Sequence, residues 1–178
     1  MFELNHRTTR TSQELEQSFS RDIEVFVAGT VAPSSPADTP AALLEAAFAL
    51  TEDRTDWLRW GLSGMPMTGE QIASHAEAAI TILRTAGWNP SLPAGRGISA
   101  ALRHAETVDT TQRFCTDTNS ALDDIFALLI RALTGAPFAT YTFWDQHPGR
   151  QVEEVFGLLA AAASFARAYG PAESALSA

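Results

Sequence analysis

Helix boundary signals and helical periodicity constrain the fold of this 178-residue chain more than any other feature. Thr68 and Gln71 form a capping-box pattern before an apolar stripe with a spacing of three and four, which is typical of an amphipathic helix. Glycines and prolines close together end similar stripes elsewhere, as at Gly135 with Pro137 and at Gly170-Pro171. Only residues 138–144 are rich in β-forming residue types. The sequence predicts an all-α fold, a compact bundle of about five or six helices, with at most a short β-strand near 138–144.

The chain is predicted to consist of four parts. Residues 1–29 form an appendage with an amphipathic helix near 11–28, and residues 30–39 form a linker of Pro, Ser and other small residues. Residues 40–170 form the helical domain, and 171–178 form a frayed tail. The expected helices of the domain lie at about 40–50, 55–64, 69–86, 99–108, 119–134 and 150–169, with Asp117 or Thr118 as the cap of the fifth.

The charge balance argues against two classes of partner. The chain has 12 basic residues, all of them Arg, against 21 acidic residues, and its formal net charge is −9. The arginines are scattered and form no basic patch, so binding to nucleic acid or to an anionic membrane surface is not expected. The absence of Lys has two explanations, codon bias in a GC-rich coding sequence and selection against lysine modification. No apolar run is long enough to span a bilayer, and the protein is predicted to be cytoplasmic.

No residue pattern supports a catalytic, cofactor or metal site. A phosphate-binding loop of the GxxxxGK[ST] type is impossible without Lys. The doublets Asp123-Asp124 and Glu153-Glu154 point in different directions on a helix, and no base is assigned to Cys115. All four histidines are predicted to be surface or boundary residues: His6, His75, His104 and His147. We therefore predict no catalytic residue, no metal and no cofactor, and an enzymatic role is disfavoured.

The tryptophans give the clearest candidate binding residues, because all four lie at predicted helix ends or in loops. Such a ring either closes the edge of the core or contacts a partner. Trp57 and Trp60 are three residues apart on one predicted helical turn and are candidates for an interface. Trp88 and Trp144 are the candidates farther along the chain.

Residues 70–170 resemble a domain family of unknown function found in actinobacteria and in their phages and plasmids. The resemblance rests on a Gly-Trp after an Ala-rich helix, a Gly-Arg before a second helix and a Trp-Asn-Asp before an Arg-Thr helix start. These motifs read AAITILRTAGW (78–88), GRGISAALRHA (95–105) and FWDQHPGRQVEEVFGLLAAA (143–162). The resemblance implies a common domain and a bacterial lineage, and it implies no reaction.

The chain departs from the family pattern at three polar positions. Trp-Asn-Asp becomes Trp144-Asp145-Gln146, the Thr after Arg150 becomes Gln151, and Ile98 stands near the place of a Cys. From its position, Asp145 is expected to accept backbone N–H groups at the start of the following helix or to pair with Arg150.

The sequence leads to three hypotheses of function. The first is a non-enzymatic cytoplasmic protein that acts through protein–protein interaction or self-association, accessory or regulatory in an actinobacterium or its mobile elements. The second is a binding protein or enzyme for a small anionic molecule, with a pocket near Trp88, Arg96, Trp144, Asp145 and Arg150. The third is a helix-turn-helix regulator that uses Arg103 and His104. The sequence specifies neither the partner, the oligomeric state, nor a substrate.

Overall fold

The computed structural model describes residues 39–51, 63–91, 93–111 and 113–172. The chain divides into two compact units, residues 1–35 and residues 36–178, and every described residue belongs to the second unit. The predicted N-terminal helix, the linker up to residue 38 and most of the predicted 55–64 helix lie outside the described residues.

Six helices account for the regular structure of these ranges, and none of the ranges contains a β-strand. The prediction of an all-α bundle is therefore confirmed. The helices are α1 Pro40–Ala49, α2 Gly69–Ala86, α3 Ile98–Val108, α4 Thr116–Thr134, α5 Tyr141–Asp145 and α6 Val152–Tyr169.

Local sequence signals set most helix ends. The capping box at the start of α2 is present, since Thr68 N–H donates to Gln71 Oε1 at 2.9 Å and Gln71 N–H donates to Thr68 Oγ1 at 3.1 Å. Gly135 ends α4 in the left-handed conformation, with φ of 69°. Thr39 caps α1, which has Pro40 at its first position.

The start of α4 differs from the prediction by three residues. The helix begins at Thr116, and Cys115 is the N-cap residue. Thr118 lies in the first turn, where its Oγ1 accepts the N–H of Cys115 at 2.9 Å. Asp117 does not cap the helix, because its carboxylate accepts the N–H and hydroxyl groups of Ser63. A partner distant in sequence, Ser63, therefore redirects Asp117, whereas Thr118 takes part in the capping box of α4 from inside its first turn.

The core is centred on the contact between α2 and α6, the most extensive contact between two helices of the fold. Small residues line both sides, and the fully or almost fully buried alanines include Ala73, Ala76, Ala79, Ala162, Ala163 and Ala166. The start of α2 meets the end of α6 so closely that a Cβ on Gly69 would collide with the carbonyl oxygen of Ala166. Small residues are thus required where the backbones approach.

Residues 141–145 form the short helix α5, in the segment where the sequence allowed at most a short β-strand. Tyr141 and Trp144 pack against the core, and Asp145 is buried. These three positions share one face of a helix, whereas the alternation of a strand would separate Trp144 from Asp145. Anchoring at a helical spacing therefore overrides the β propensity of the segment.

None of the described helices is both long enough and apolar enough to cross a membrane.

Candidate functional site

Asp145 is the centre of a buried polar junction that joins three segments of the chain. The residue is 4% exposed. Its Oδ1 accepts the indole N–H of Trp88 at 2.7 Å, and its Oδ2 accepts the backbone N–H of Ile98 at 2.9 Å. One oxygen therefore binds a donor from the loop that follows α2, and the other binds the first N–H of α3. We call the set Trp88, Gly97, Ile98, Trp144, Asp145 and Arg150 the Asp145 junction.

The carboxylate of Asp145 acts as the N-terminal cap of α3. The N-cap residue of that helix is Gly97, which has no side chain to accept a hydrogen bond. A Cβ at Gly97 would lie 2.5 Å from Asp145 Oδ2, so glycine leaves room for the carboxylate. A negative charge at this position also interacts favourably with the helix dipole. The expected role as an acceptor of backbone N–H groups is thus present, but the donor belongs to α3 and not to the following helix.

Burial raises the pKa of Asp145. The hydrogen bonds from Ile98 and Trp88, followed by the positive charge of Arg150, oppose that rise because they favour the ionised form. The carboxylate is therefore held by several donors in a site that excludes most water.

Arg150 supports the junction through Trp144. Its Nε–H donates to the carbonyl oxygen of Trp144 at 3.1 Å, and its guanidinium carbon lies 3.7 Å from the centre of the Trp144 ring. An ion pair with Glu154 at 2.9 Å completes its contacts. The side chain of Arg150 therefore forms its hydrogen bonds with Trp144 and Glu154. Its positive charge lowers the pKa of Asp145.

Arg96 lies at the other end of the same loop. Its backbone exchanges two hydrogen bonds with Asn89, at 2.9 and 3.0 Å, and these close the loop that carries Trp88. The guanidinium donates to the carbonyl oxygen of Ala86 at 2.9 Å, at the end of α2. The structure thus brings Trp88, Trp144, Asp145 and Arg150 into one network, while the guanidinium of Arg96 contacts the end of a helix.

The other predicted interface residues, Trp57 and Trp60, lie outside the described residues. His104 and His147 are exposed, as predicted, and His6 is outside the described ranges. Within those ranges, no group of three His, Cys, Asp or Glu residues is placed to hold a metal ion.

The prediction that His75 is a surface or boundary residue is wrong, because its side chain is fully buried. Its Nδ1 lies 2.9 Å from Thr118 Oγ1 and its Nε2 lies 3.0 Å from the carbonyl oxygen of Leu102. The ring stacks on Phe114 at a centroid distance of 4.9 Å. Burial lowers the pKa of His75, so the neutral ring is favoured. The position of His75 on α2 gave no sign of these partners, which come from α3 and α4.

Two phenylalanines in the segment that leads from α4 to Asp145 face solvent. Phe138 is 90% exposed and Phe143 is 80% exposed, and Leu133 at the end of α4 is also exposed. We call these three side chains the connector surface, because they lie at the end of α4, in the connection to α5 and on α5 itself. This surface was not predicted from the sequence, which indicated at most a short β-strand near 138–144. An available signal was the absence of charged residues from 132 to 144.

Tyr141 anchors the inner side of α5. Its ring packs on Phe126 at a centroid distance of 5.2 Å. Its hydroxyl group interacts with Ser99 of α3 and with Asp123 of α4, and burial raises its pKa. Burial also raises the pKa of the Asp123 carboxyl group to about 6, and the charge of Asp124 adds to this rise. The short helix is thus attached to both α3 and α4.

A groove of about 570 Å³ lies between the start of α2 and the end of α6. Its polar residues include Glu70, Ser74, Arg113 and Arg167. Arg167 forms paired hydrogen bonds with Glu70 and with Glu77, at distances from 2.6 to 3.1 Å. The hydrogen bonds from Arg167 lower the pKa of both carboxyl groups. The guanidinium is therefore occupied by carboxylates and is a poor receptor for an anionic ligand.

No curated protein and no solved structure matches the chain. The sequence model of a family of unknown function matches residues 67–165, a range that includes the Asp145 junction and the connector surface. The predicted resemblance to a domain family of unknown function is confirmed, and its range agrees closely with the expected 70–170. Since the match covers more than half of the 178 residues, the chain belongs to the family of unknown function DUF6197.

Proposed function

We propose that the described domain is a non-enzymatic protein-binding module that docks through the connector surface. The observation that carries the proposal is the exposure of two phenylalanine side chains, 90% for Phe138 and 80% for Phe143, within six residues of chain. Phenylalanine is enriched in the centre of protein interfaces. Burial of each ring against a partner contributes about 2 kcal/mol, before the costs of association are subtracted.

The surface is held in place by buried contacts on the other side of the same segment. Phe143 lies on α5 between Tyr141 and Trp144, which pack against the core, and Asp145 fixes the end of the helix. A surface that is ordered before binding loses less conformational entropy when it meets its partner. The Asp145 junction therefore has a positioning role in this proposal.

The contacts within the Asp145 junction favour docking over the anionic-ligand hypothesis. Asp145 has donors on both oxygens, and Arg150 already donates to Trp144 and Glu154. Binding of an anion there requires replacement of these bonds. The proposal keeps the cytoplasmic location and the accessory or regulatory role that the sequence predicts. It keeps the origin in an actinobacterium or its mobile elements as well.

Photo-crosslinking tests the proposal. A benzoylphenylalanine replaces Phe138 in the full chain, which is then irradiated in extract of the cells that produce it naturally. The matched control carries the same probe at Val108, which is 56% exposed on α3. We expect a discrete crosslinked species from position 138, either with another protein or with a second copy. Position 108 should give none.

Two further measurements make the result decisive. Addition of Phe143→Ser to the probe protein should remove the crosslink while the circular dichroism spectrum stays unchanged. The proposal fails when the two probe positions give the same crosslinks, or when the crosslink at position 138 survives Phe143→Ser.

A further inference from the structure

We infer that the occupant of the connector surface is the same surface of a second copy of this chain, so that the protein forms a two-fold symmetric dimer. The inference rests on the proposed docking function and names its partner. It is argued from the charge of the segment and from the apolar area that the segment exposes.

The connector surface is uncharged within a strongly acidic protein. Residues 132–144 contain no Asp, Glu, Lys or Arg, whereas the whole chain has a formal net charge of −9. Selection of a basic partner requires acidic residues at the point of contact, and this segment has none. An equally uncharged apolar surface is the complement that it fits, and a second copy presents one.

The two ends of the uncharged run limit repulsion between copies. Arg131 precedes the run, and the carboxylate that follows it, Asp145, is buried with donors on both oxygens. Neither of the two residues that border the run therefore places an exposed carboxylate opposite the second copy. Repulsion between two copies comes instead from the net charge of −9, which acts over a longer distance and is screened by salt.

The exposed area suits a modest dimer. A phenylalanine side chain buries about 150–250 Å² in an interface, so four of them, two from each copy, supply about 600–1,000 Å². A stable interface buries about 1,200–2,000 Å² in total. Leu133 and the exposed Pro137, Thr140 and Thr142 lie in the same segment and add to the area. The surface thus approaches the lower end of the range, as is typical of a weak, reversible dimer.

The spacing of the two rings is compatible with a single two-fold contact. In a symmetric interface each residue of one copy has an equivalent in the other, so both rings are covered by a single contact. Phe138 and Phe143 are five residues apart, and the chain between them spans at most about 18 Å, a distance that fits within one such interface.

Sedimentation velocity of the purified full chain tests the inference, with protein concentration and salt varied independently. We expect the mass to rise from 19.1 kDa toward twice that value as concentration increases. Higher sodium chloride should strengthen association, because salt screens the repulsion between acidic copies. Self-association held by attraction between opposite charges would instead weaken as salt increases.

Two variants locate the contact. The double variant Phe138→Asp with Phe143→Asp should weaken association by at least about tenfold, since it places charge in the centre of the interface. The control Val108→Asp introduces the same charge at another exposed apolar residue and should leave association unchanged. The milder double variant Phe138→Ser with Phe143→Ser serves when the Asp variant lowers stability.

The outcomes separate this inference from the proposed function. A chain that stays monomeric at high concentration and high salt, or a dimer that tolerates both phenylalanine variants, overturns the inference. If position 138 still crosslinks to a different protein in that case, the docking function stands and only the partner is wrong. If the chain is monomeric and position 138 gives no specific crosslink, both fail.

Discussion

The contact between α2 and α6 and the segment around α5 distribute polar and apolar groups in opposite ways. Between α2 and α6, alanines such as Ala76 and Ala163 are buried, and the charged side chain of Arg167 is at the surface. Around α5, a carboxylate is 4% exposed, whereas the ring of Phe138 is 90% exposed. The first arrangement is what burial of apolar area produces by itself. The second arrangement is the reverse, because a carboxylate is buried and an apolar ring is exposed to water.

This difference indicates that the residues around α5 serve a purpose besides the stability of the fold. Burial of a carboxylate is unfavourable unless donors satisfy it, and exposure of two phenylalanines forgoes the gain of burying them. Both features occur in the segment that follows α4, and the buried carboxylate holds the helix that presents Phe143. The α2–α6 contact therefore stabilises the fold. We associate function with α5 and the connector surface.

The largest effect is expected from Asp145→Ala. The substitution leaves two donors, the indole N–H of Trp88 and the backbone N–H of Ile98, without an acceptor in a buried site. We expect a loss of about 3 kcal/mol in the free energy of unfolding, measured by urea denaturation. Asp145→Asn should cost less, because its amide keeps one acceptor oxygen. A loss no greater than that of the exposed-site control Glu153→Gln would mean that the junction is not a structural anchor.

The next largest effect tests the other half of the comparison. A methyl group at Gly69 collides with the backbone of Ala166, so Gly69→Ala must separate α2 from α6 and should cost about 2 kcal/mol. The control is Gly157→Ala on α6, where no atom lies within 4 Å of the added carbon. That control should stabilise the protein by up to about 1 kcal/mol through helix propensity. Equal effects of the two substitutions in thermal denaturation would contradict the close approach.

A smaller, pH-dependent effect is expected at Asp123, which is exposed as a residue although burial raises its carboxyl pKa to about 6. Because the folded protein holds this proton more tightly than the unfolded chain, the stabilising contribution is present at low pH and is lost as the pH rises through about 6. Asp123→Asn should therefore be more stable than the original protein at pH 8, by less than about 1 kcal/mol after solvent screening.

The free energies of unfolding of Asp123→Asn and of the original protein are then compared at pH 5 by chemical denaturation. There the advantage of Asp123→Asn should shrink, because Asp123 is largely protonated in the folded protein. An advantage that is the same at both pH values would show that ionisation of Asp123 is not its source.

The smallest effect on stability is expected at the connector surface. Phe138→Ser with Phe143→Ser removes two rings that are 90% and 80% exposed, so the free energy of unfolding of the monomer should change by less than about 0.5 kcal/mol. Measurement at low protein concentration avoids a contribution from association. A loss comparable with that of Asp145→Ala would mean that the rings pack within the monomer, and the contrast between the two regions would disappear.

Several elements were predictable because their signals are local. The capping box of Thr68 and Gln71 gave the start of α2, and Gly135 gave the end of α4 within one residue. Four residues of the Asp145 junction were singled out from helix ends, loop tryptophans and a family resemblance: Trp88, Trp144, Asp145 and Arg150. Their actual partners were not predictable, since Asp145 binds Trp88 and Ile98, 57 and 47 residues away. The burial of His75 was not predicted for the same reason, because its partners Thr118 and Leu102 are also distant in sequence.

The sequence by itself determined the helical class, most helix boundaries and the absence of charge from 132 to 144, since periodicity, capping and composition act over a few residues. Only the tertiary structure decided that 141–145 is a helix, that Asp145 and His75 are buried, and that Phe138 and Phe143 face solvent. Burial and hydrogen bonding depend on which distant segments meet. A polar residue becomes a buried anchor, and an apolar residue an exposed surface, only when those segments are in place.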